Sequence, residues 1–203
     1  MSRPLDIARH AARVARMAWY SPMLVGLAVR RAATVIRLDT ARWVEVVAPP
    51  GPSAFATLAL LATYREYRTL YCYRLRRSGV IGAAIGAVLG VAYPGERTLH
   101  LACGDIGPGL FIQHGFATIV AARKLGANCW INQQVTIGFD RPDARPTVGD
   151  NVAVYAGAKV LGEVHLGDGA RVGANAVVRC DVPAAHTAVG NPSRLLPPKS
   201  QRG

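Results

Sequence analysis

The period of the apolar positions changes along the chain, and the change divides it. Up to about residue 95 apolar residues recur at helical spacing. In "ARHAARVARMAW" Arg9, Arg13 and Arg16 fall on one side with apolar residues opposite, which predicts a basic amphipathic helix. "APPGPS" at 48–53 holds three prolines and a glycine and cannot continue a helix. "FATLALLATYREYRTLYCYRLRR" resumes as a second helical segment, whose spacing assigns Tyr64, Tyr67, Tyr71 and Tyr73 to packing rather than to stacking on nucleic-acid bases. Ser78 to Gly95 is a run of 18 uncharged residues in which Gly82, Gly86 and Gly90 recur every four positions. One face of that helix is nearly bare backbone, suited to close packing on a neighbour; a segment lying on or in a membrane is the alternative. Met17 to Val29 is short, is broken by Pro22 and lacks a small-residue cleavage site, so it does not read as a signal peptide.

Beyond Ile106 the period becomes six. Aliphatic residues stand at Ile106 and Ile112, then after one extra residue at Ile119, Leu125, Ile131 and Ile137, and past a loop at Val148, Val154, Val160, Leu166, Val172 and Val178. This fits neither a 3.6-residue period nor strict alternation and marks an internal repeat. Each unit supplies a short strand and a tight corner. The aliphatic residue points inward, and Gly149, Gly167, Gly173, Asp150, Asp168 and Asn175 turn the chain. Three units close a triangular coil, and stacked coils bury a continuous column, giving a parallel β-helix. Eleven steps separate Ile137 from Val148, so "GFDRPDARPT" is expected to protrude as a loop, where binding residues gather. The prolines of "CDVPAAHTAVGNPSRLLPPK" are expected to end the repeat and turn the tail back along the last coil. The expected organisation is mainly β: an N-terminal helical region 1–95, a β-helix 96–185 and a tail 186–203.

Charge adds an asymmetry. The net charge is +12, and through Gly104 there are 14 arginines and no lysine against 5 acids, a net of +9. A basic surface of this kind can face nucleic acid, an anionic bilayer or an acidic ligand. Cys72, Cys103, Cys129 and Cys180 are far apart and form no C-x-x-C, so neither a zinc site nor a disulfide framework is expected and a cytoplasmic setting fits.

"GLFIQHGFATIV", "INQQVTIG", "VYAGAKVLGEVHLGDGARVGANAVV" and "AVGNPSRLL" resemble, in order and spacing, the serine acetyltransferase branch of the hexapeptide-repeat acyltransferases over roughly residues 100–197. "TYREYRTLYCYRL" is similar to the helical entry segment of related acetyltransferases of polysaccharide and natural-product pathways. The resemblance implies a left-handed coil, acetyl-CoA as donor with no metal, a homotrimer with active sites between neighbouring prisms, and His114 as general base. That role suits the residue, because an alcohol needs a neutral imidazole to take its proton as it attacks a thioester. The resemblance places the coenzyme along Gly138, Ala156, Gly157, Lys159, Ala174 and Arg194, with Lys199 and Arg202 as further phosphate partners. It places the hydroxyl acceptor by Gln113, Asp143 and Arg145.

The chain also departs from the pattern. Gln113 and Leu99 stand where the family has acidic residues, immediately before the histidine and fifteen positions earlier, and Asp105 is a candidate to orient the imidazole instead. In the loop, Ala144 and Arg145 stand where the family has an Arg-His pair; a second register puts Asp140 to Pro142 there. A sugar or other pathway hydroxyl therefore competes with serine as acceptor. The C-terminal "SQRG" lacks the isoleucine through which relatives dock a sulfhydrylase, so no such complex is expected. A metal-dependent hydratase on the same scaffold needs clustered histidines, and His10, His100, His165 and His186 lack that spacing. A non-enzymatic basic binding protein would bind DNA with steep salt dependence and tolerate His114→Ala; nucleic acid is not the expected partner. The basic half is expected to touch a membrane surface peripherally.

Overall fold

The structure is a computed structural model and describes residues 4–47 and 53–198, with side chains from residue 9 onward except those of His10, Ser53 and Ala54. The proline-rich stretch at 48–52, the tail cations Lys199 and Arg202 and the terminal "SQRG" lie outside the described residues. The chain divides into two compact units, Met1–Gly95 and Glu96–Gly203.

The first unit is helical: α1 (Pro4–Tyr20), a 3-10 segment (Ser21–Ala28), α2 (Arg30–Val47), α3 (Ser53–Thr63), α4 (Arg65–Arg76) and α5 (Val80–Ala92). On α2 the buried Ala32, Ala33, Ile36, Asp39, Thr40 and Trp43 follow the helical period. The segment expected as one helix from residue 55 to 77 breaks at Tyr64, which is extended (φ −107°, ψ 117°) and packs its ring 5.6 Å from that of Trp43. No glycine or proline marks the break, so tertiary packing makes it. Tyr67 and Tyr71 are buried. Tyr67 shares a 2.6 Å hydrogen bond with Thr40, and Tyr71 donates to the Met23 carbonyl at 2.7 Å; burial pushes both phenols well above their ordinary pKa. Neither ring is free to stack on a base.

Two arginines are folded into this unit. Arg74 meets Asp39 through both carboxylate oxygens, at 2.8 and 3.1 Å, with both side chains buried. Arg68 donates to the carbonyls of Leu61 (2.6 Å) and Pro94 (3.1 Å) and lies 4.7 Å over the Tyr20 ring; desolvation lowers its pKa. The glycine face of α5 rests on α4: a Cβ at Gly86 would come within 2.9 Å of Leu75 Cβ and 3.1 Å of the Arg76 amide nitrogen. The opposite face leaves Val80 (88%), Ile81 (75%), Val88 (68%) and Val91 (85%) exposed. Among the described residues no helix is long and apolar enough to cross a membrane.

The second unit is a parallel β-helix with three faces. Face A stacks β1 (Leu99–Leu101), β3 (Thr118–Val120), β6 (Thr136–Gly138), β9 (Lys159–Leu161) and β12 (Val177–Val178). Face B stacks β4 (Lys124–Leu125), β7 (Thr147–Val148) and β10 (His165–Leu166), extended by bridges at Ile106 and Val182. Face C stacks β2 (Phe111–Ile112), β5 (Trp130–Ile131), β8 (Ala153–Val154), β11 (Arg171–Val172) and β13 (Thr187–Val189). The inward column from Ile112 to Val178 is sealed, with one correction to the spacing. Ile119 is exposed, and Val120 is the residue that pairs with Ile137 and points in. Side chains alternate along a strand, so only one of two adjacent aliphatics can face inward. Two residues, not one, are therefore inserted between Ile112 and the next inward position.

The coil also runs past residue 185. Pro183 and Pro192 flank β13 rather than interrupt it, so Thr187–Val189 pairs parallel to β11. The chain then returns as β14 (Arg194–Leu196), antiparallel to β13.

Candidate active site

Three edges join the faces, and the candidate residues divide between two of them. The edge from face C to face A carries successive corners: Gln113 to Ala117, Asn132 to Gln134, Tyr155 to Gly157 and Gly173 to Asn175. Backbone hydrogen bonds run from corner to corner, with Gln134 N donating to Phe116 O (3.0 Å), Gly157 N to Gln133 O (3.0 Å) and Asn175 N to Ala156 O (2.9 Å). The two-residue insertion lies in the first corner and carries His114, which sits at φ 56° with its side chain exposed. Histidine enters the left-handed region more readily than most residues, yet the conformation costs about 1–2 kcal/mol. Ala117 and Ala185 share it, so the angle describes the corner and does not by itself mark a site.

The ring of His114 has no hydrogen-bond partner among the described residues. Asp105, the candidate to orient it, lies at the face A to face B edge, across the breadth of face A. This corrects that expectation within one chain. One coil earlier on the edge that holds His114 stands Glu96: its Oε1 accepts from the Thr98 amide (3.1 Å) and hydroxyl (2.8 Å), and that hydroxyl oxygen accepts from the Ala117 amide at 2.8 Å; the four corners from Gln113 onward carry no aspartate or glutamate.

Gln113 is next to His114 and is held. Trp130 Nε1–H donates to Asn132 Oδ1 at 2.8 Å, and Asn132 Nδ2–H donates to Gln113 Oε1 at 3.2 Å. The Trp130 ring packs 4.5 Å from that of Phe111. Trp130 and Asn132 were not among the residues singled out from the sequence. The signal was available, since Trp130 and Asn132 are two apart on one strand side and the pairing of Ile112 with Ile131 levels Gln113 with Asn132.

Ala156, Gly157 and Ala174 continue the same edge. The amide N–H groups of Ala156 and Ala174 have no partner among the described residues, whereas that of Gly157 is used by Gln133. Gly157 has a structural reason to be glycine: its φ is 73°, and a Cβ there would run into Asn175 Oδ1. Lys159 lies on face A with its ammonium donated to the Gln134 carbonyl, so it braces a corner. Arg194 is exposed on β14.

The second edge, from face A to face B, carries Gly138 and the protruding loop. Asp143 is at φ 69°, and its carbonyl accepts from Arg123 at 3.1 Å, which also pairs with Glu163 at 3.1 Å. Arg145 lies 4.9 Å over the Phe139 ring. Arg179 pairs with Asp140 at 2.7 Å. Within one chain Asp143 and Arg145 are therefore not brought to His114 and Gln113. The outward row His100, Ile119, Thr136, Lys159 and Val177 separates them.

A three-faced coil with an exposed histidine at an insertion in one edge defines the class, and the bacterial transferase hexapeptide (six repeats) family matches residues 145–180. The chain is 34% identical over 174 residues to a serine acetyltransferase of Helicobacter pylori, covering 78% of this chain and 97% of that protein. It is 34% identical over 160 residues to a serine acetyltransferase of Synechococcus elongatus, covering 71% and 62%. The crystal structure of Neisseria gonorrhoeae serine acetyltransferase in complex with serine shares the fold, at a TM-score of 0.64 and 23% identity over 87% of this chain and 73% of that one. The chain belongs to the serine acetyltransferase family of hexapeptide-repeat transferases and is an acetyltransferase.

Proposed function

We propose that the enzyme transfers an acetyl group from acetyl-CoA to a hydroxyl of a small molecule, with His114 as general base. The observation that carries this reading is the exposed His114 ring at the start of an edge whose later corners are small and offer the unpaired amides of Ala156 and Ala174. Those amides can donate to the carbonyls of a pantetheine arm, and small side chains let it lie close. An unprotonated ring nitrogen takes the hydroxyl proton as the oxygen attacks the thioester carbonyl. The tetrahedral intermediate then collapses, the C–S bond breaks, and the imidazolium returns its proton to the departing thiolate, giving the acetyl ester and free CoA. In this reading the exposed Arg194 is the partner of a coenzyme phosphate. Gly157 and Lys159 support the groove through its backbone, whereas Gly138 lies on the other edge and is not part of the groove within one chain.

The separation of the two edges favours a homotrimer. A neighbouring prism that sets its loop, with Asp143 and Arg145, against this chain's His114 would complete an acceptor site between subunits. The names of the relatives place L-serine among the acceptors to try, with a sugar or another pathway hydroxyl as the alternative. His114→Ala is expected to lower acetyl transfer by about two to four powers of ten while trimer and CoA affinity persist. Unchanged thiol release in that variant would remove His114 as base.

The setting proposed is cytoplasmic, with the helical unit touching an anionic membrane surface. The exposed aliphatic face of α5 and the Arg30 and Arg31 side chains beside a cleft of about 530 Å³ lined by Val80, Ile81 and Ile85 favour it. Full-length protein is expected to co-sediment with phosphatidylglycerol vesicles and Val88→Asp/Val91→Asp to stay in solution. Equal partitioning of the two discards the contact.

A further inference from the structure

We infer that the helical unit carries a binding site of its own, for a phosphate monoester whose organic part lies on the rings of Trp19 and Tyr20. The site is a cleft of about 380 Å³ between the end of α1 and the junction of α3 with α4. Its anchor is Arg68. Buried charges are held by opposite charges, as Arg74 is by Asp39. Arg68 is just as buried, at 5% exposure, yet meets no carboxylate among the described residues. Glu66 on α4 favours its charge but forms no ion pair with it and does not line the cleft. The carbonyls of Pro94 and Leu61 fix Nε and Nη1, and the guanidinium lies over the Tyr20 ring. Nη2 has no partner among the described residues, is not sealed from solvent and belongs to a side chain that lines the cleft. Fixed at two nitrogens, Arg68 offers the third as a donor already in position.

Arg16 and Arg65 enter the same lining from α1 and α4, both exposed and neither ion-paired among the described residues. The Thr63 hydroxyl adds a further donor, and α4 starts beside it with no side-chain cap from Tyr64, so the positive end of its dipole is uncovered. No acid among the described residues lines the cleft. Three guanidinium groups around one opening suit a group of two charges and three acceptor oxygens, which is the phosphate monoester near neutral pH; a carboxylate or a phosphate diester carries one charge. The wall for the organic part is aromatic. Trp19 is 68% exposed, and its ring and that of Tyr20 lie 6.3 and 5.4 Å from the Tyr93 ring, which braces both. An adjoining groove of about 470 Å³ shares Arg16, Ala62 and Thr63 and has Met17 and Leu60 in its lining, so a longer apolar group also has room.

The test uses the full-length protein and two monoester probes, each with its diester control. Phenyl phosphate against methyl phenyl phosphate, by isothermal titration, examines a soluble ligand. Vesicles containing phosphatidic acid against phosphatidylglycerol, by co-sedimentation, examine a lipid headgroup. Saturable binding of at least one monoester is expected, about tenfold tighter than its diester. Arg16→Gln/Arg65→Gln should weaken it about tenfold or more, the scale of hydrogen bonds to a charged group. Both replaced side chains are exposed, so the fold is expected to persist, as circular dichroism will read. Arg194→Gln, in the coil, should leave the affinity unchanged. A response of phenyl phosphate to the double substitution supports a soluble phosphate monoester, and a response confined to phosphatidic acid supports a lipid-borne one. Failure of both monoesters to bind, no preference over the diester, equal binding by wild type and Arg16→Gln/Arg65→Gln, or loss of binding with Arg194→Gln overturns the inference. Binding is the readout, so the outcome is independent of acetyl transfer at His114.

Discussion

The two units solve the problem of a unique core in different ways. Six polar or charged side chains are buried among the described residues, and five of them, Asp39, Thr40, Thr57, Arg68 and Arg74, lie in the helical unit; the β-helix has Thr118 alone. In the coil every inward position meets the same environment one turn above and below, and the backbone ladder sets the register. In the helical unit the apolar faces can slide or rotate on one another. Directional partners such as Arg74 with Asp39, and Tyr67 with Thr40, single out one arrangement. A repeat specifies itself through its period, whereas short helices need polar landmarks.

The largest effect that sharpens this contrast is expected at Asp39. Asp39→Ala takes the carboxylate away from the buried Arg74 guanidinium and should cost about 3–5 kcal/mol. Hydrogen exchange should show protection lost over residues 30–76 and kept over 118–189. Loss in both units would show that they unfold as one body. The pair Asp39→Leu/Arg74→Met removes both charges and should recover most of that cost, since the penalty belongs to the charge that has lost its carboxylate.

A smaller effect, about 1–2 kcal/mol, is expected from Gly157→Ala, which forces a Cβ into a left-handed corner against Asn175. Chemical denaturation followed by far-UV circular dichroism measures it. A neutral outcome would mean that the corners yield more readily than the inward column.

The smallest effect compares the thiols. Burial pushes Cys129 up to about 12 and raises Cys72 as well, Cys103 is buried, and Cys180 is exposed. A raised thiol pKa favours the neutral folded form. That contribution is complete below the ordinary thiol value near 8.5 and is lost as pH rises through the folded value, for Cys129 between roughly pH 9 and 12. At pH 8 iodoacetamide should therefore add one adduct, at Cys180, read by mass spectrometry. Rapid labelling of Cys72 would mark the helical unit as the looser of the two.

The contrast also explains what could be read in advance. The β-helix, its column and the protruding loop were legible because a period of six repeated over many turns has few other physical readings. Ile119 was misplaced because Ile119 and Val120 are equally apolar and spacing alone does not say which points in. The break at Tyr64 had no local cause, only the ring of Trp43 waiting beside it. At the candidate site, His114 stood out as one polar residue in an aliphatic stretch and through the resemblance. Asp105 was mistaken for its neighbour because distance along the chain hides which edge of the prism a corner occupies.

The sequence by itself determined the coil, its three-faced architecture and the histidine, since these follow from periodicity and from the chemistry of single residue types. The structure decided which way the Gln113 amide faces, which edge each loop residue occupies, and that His114 sits apart from Asp143 and Arg145 in one chain. Those are relations between residues brought together across coils, and hydrogen-bond direction and edge placement exist only once the chain has closed on itself.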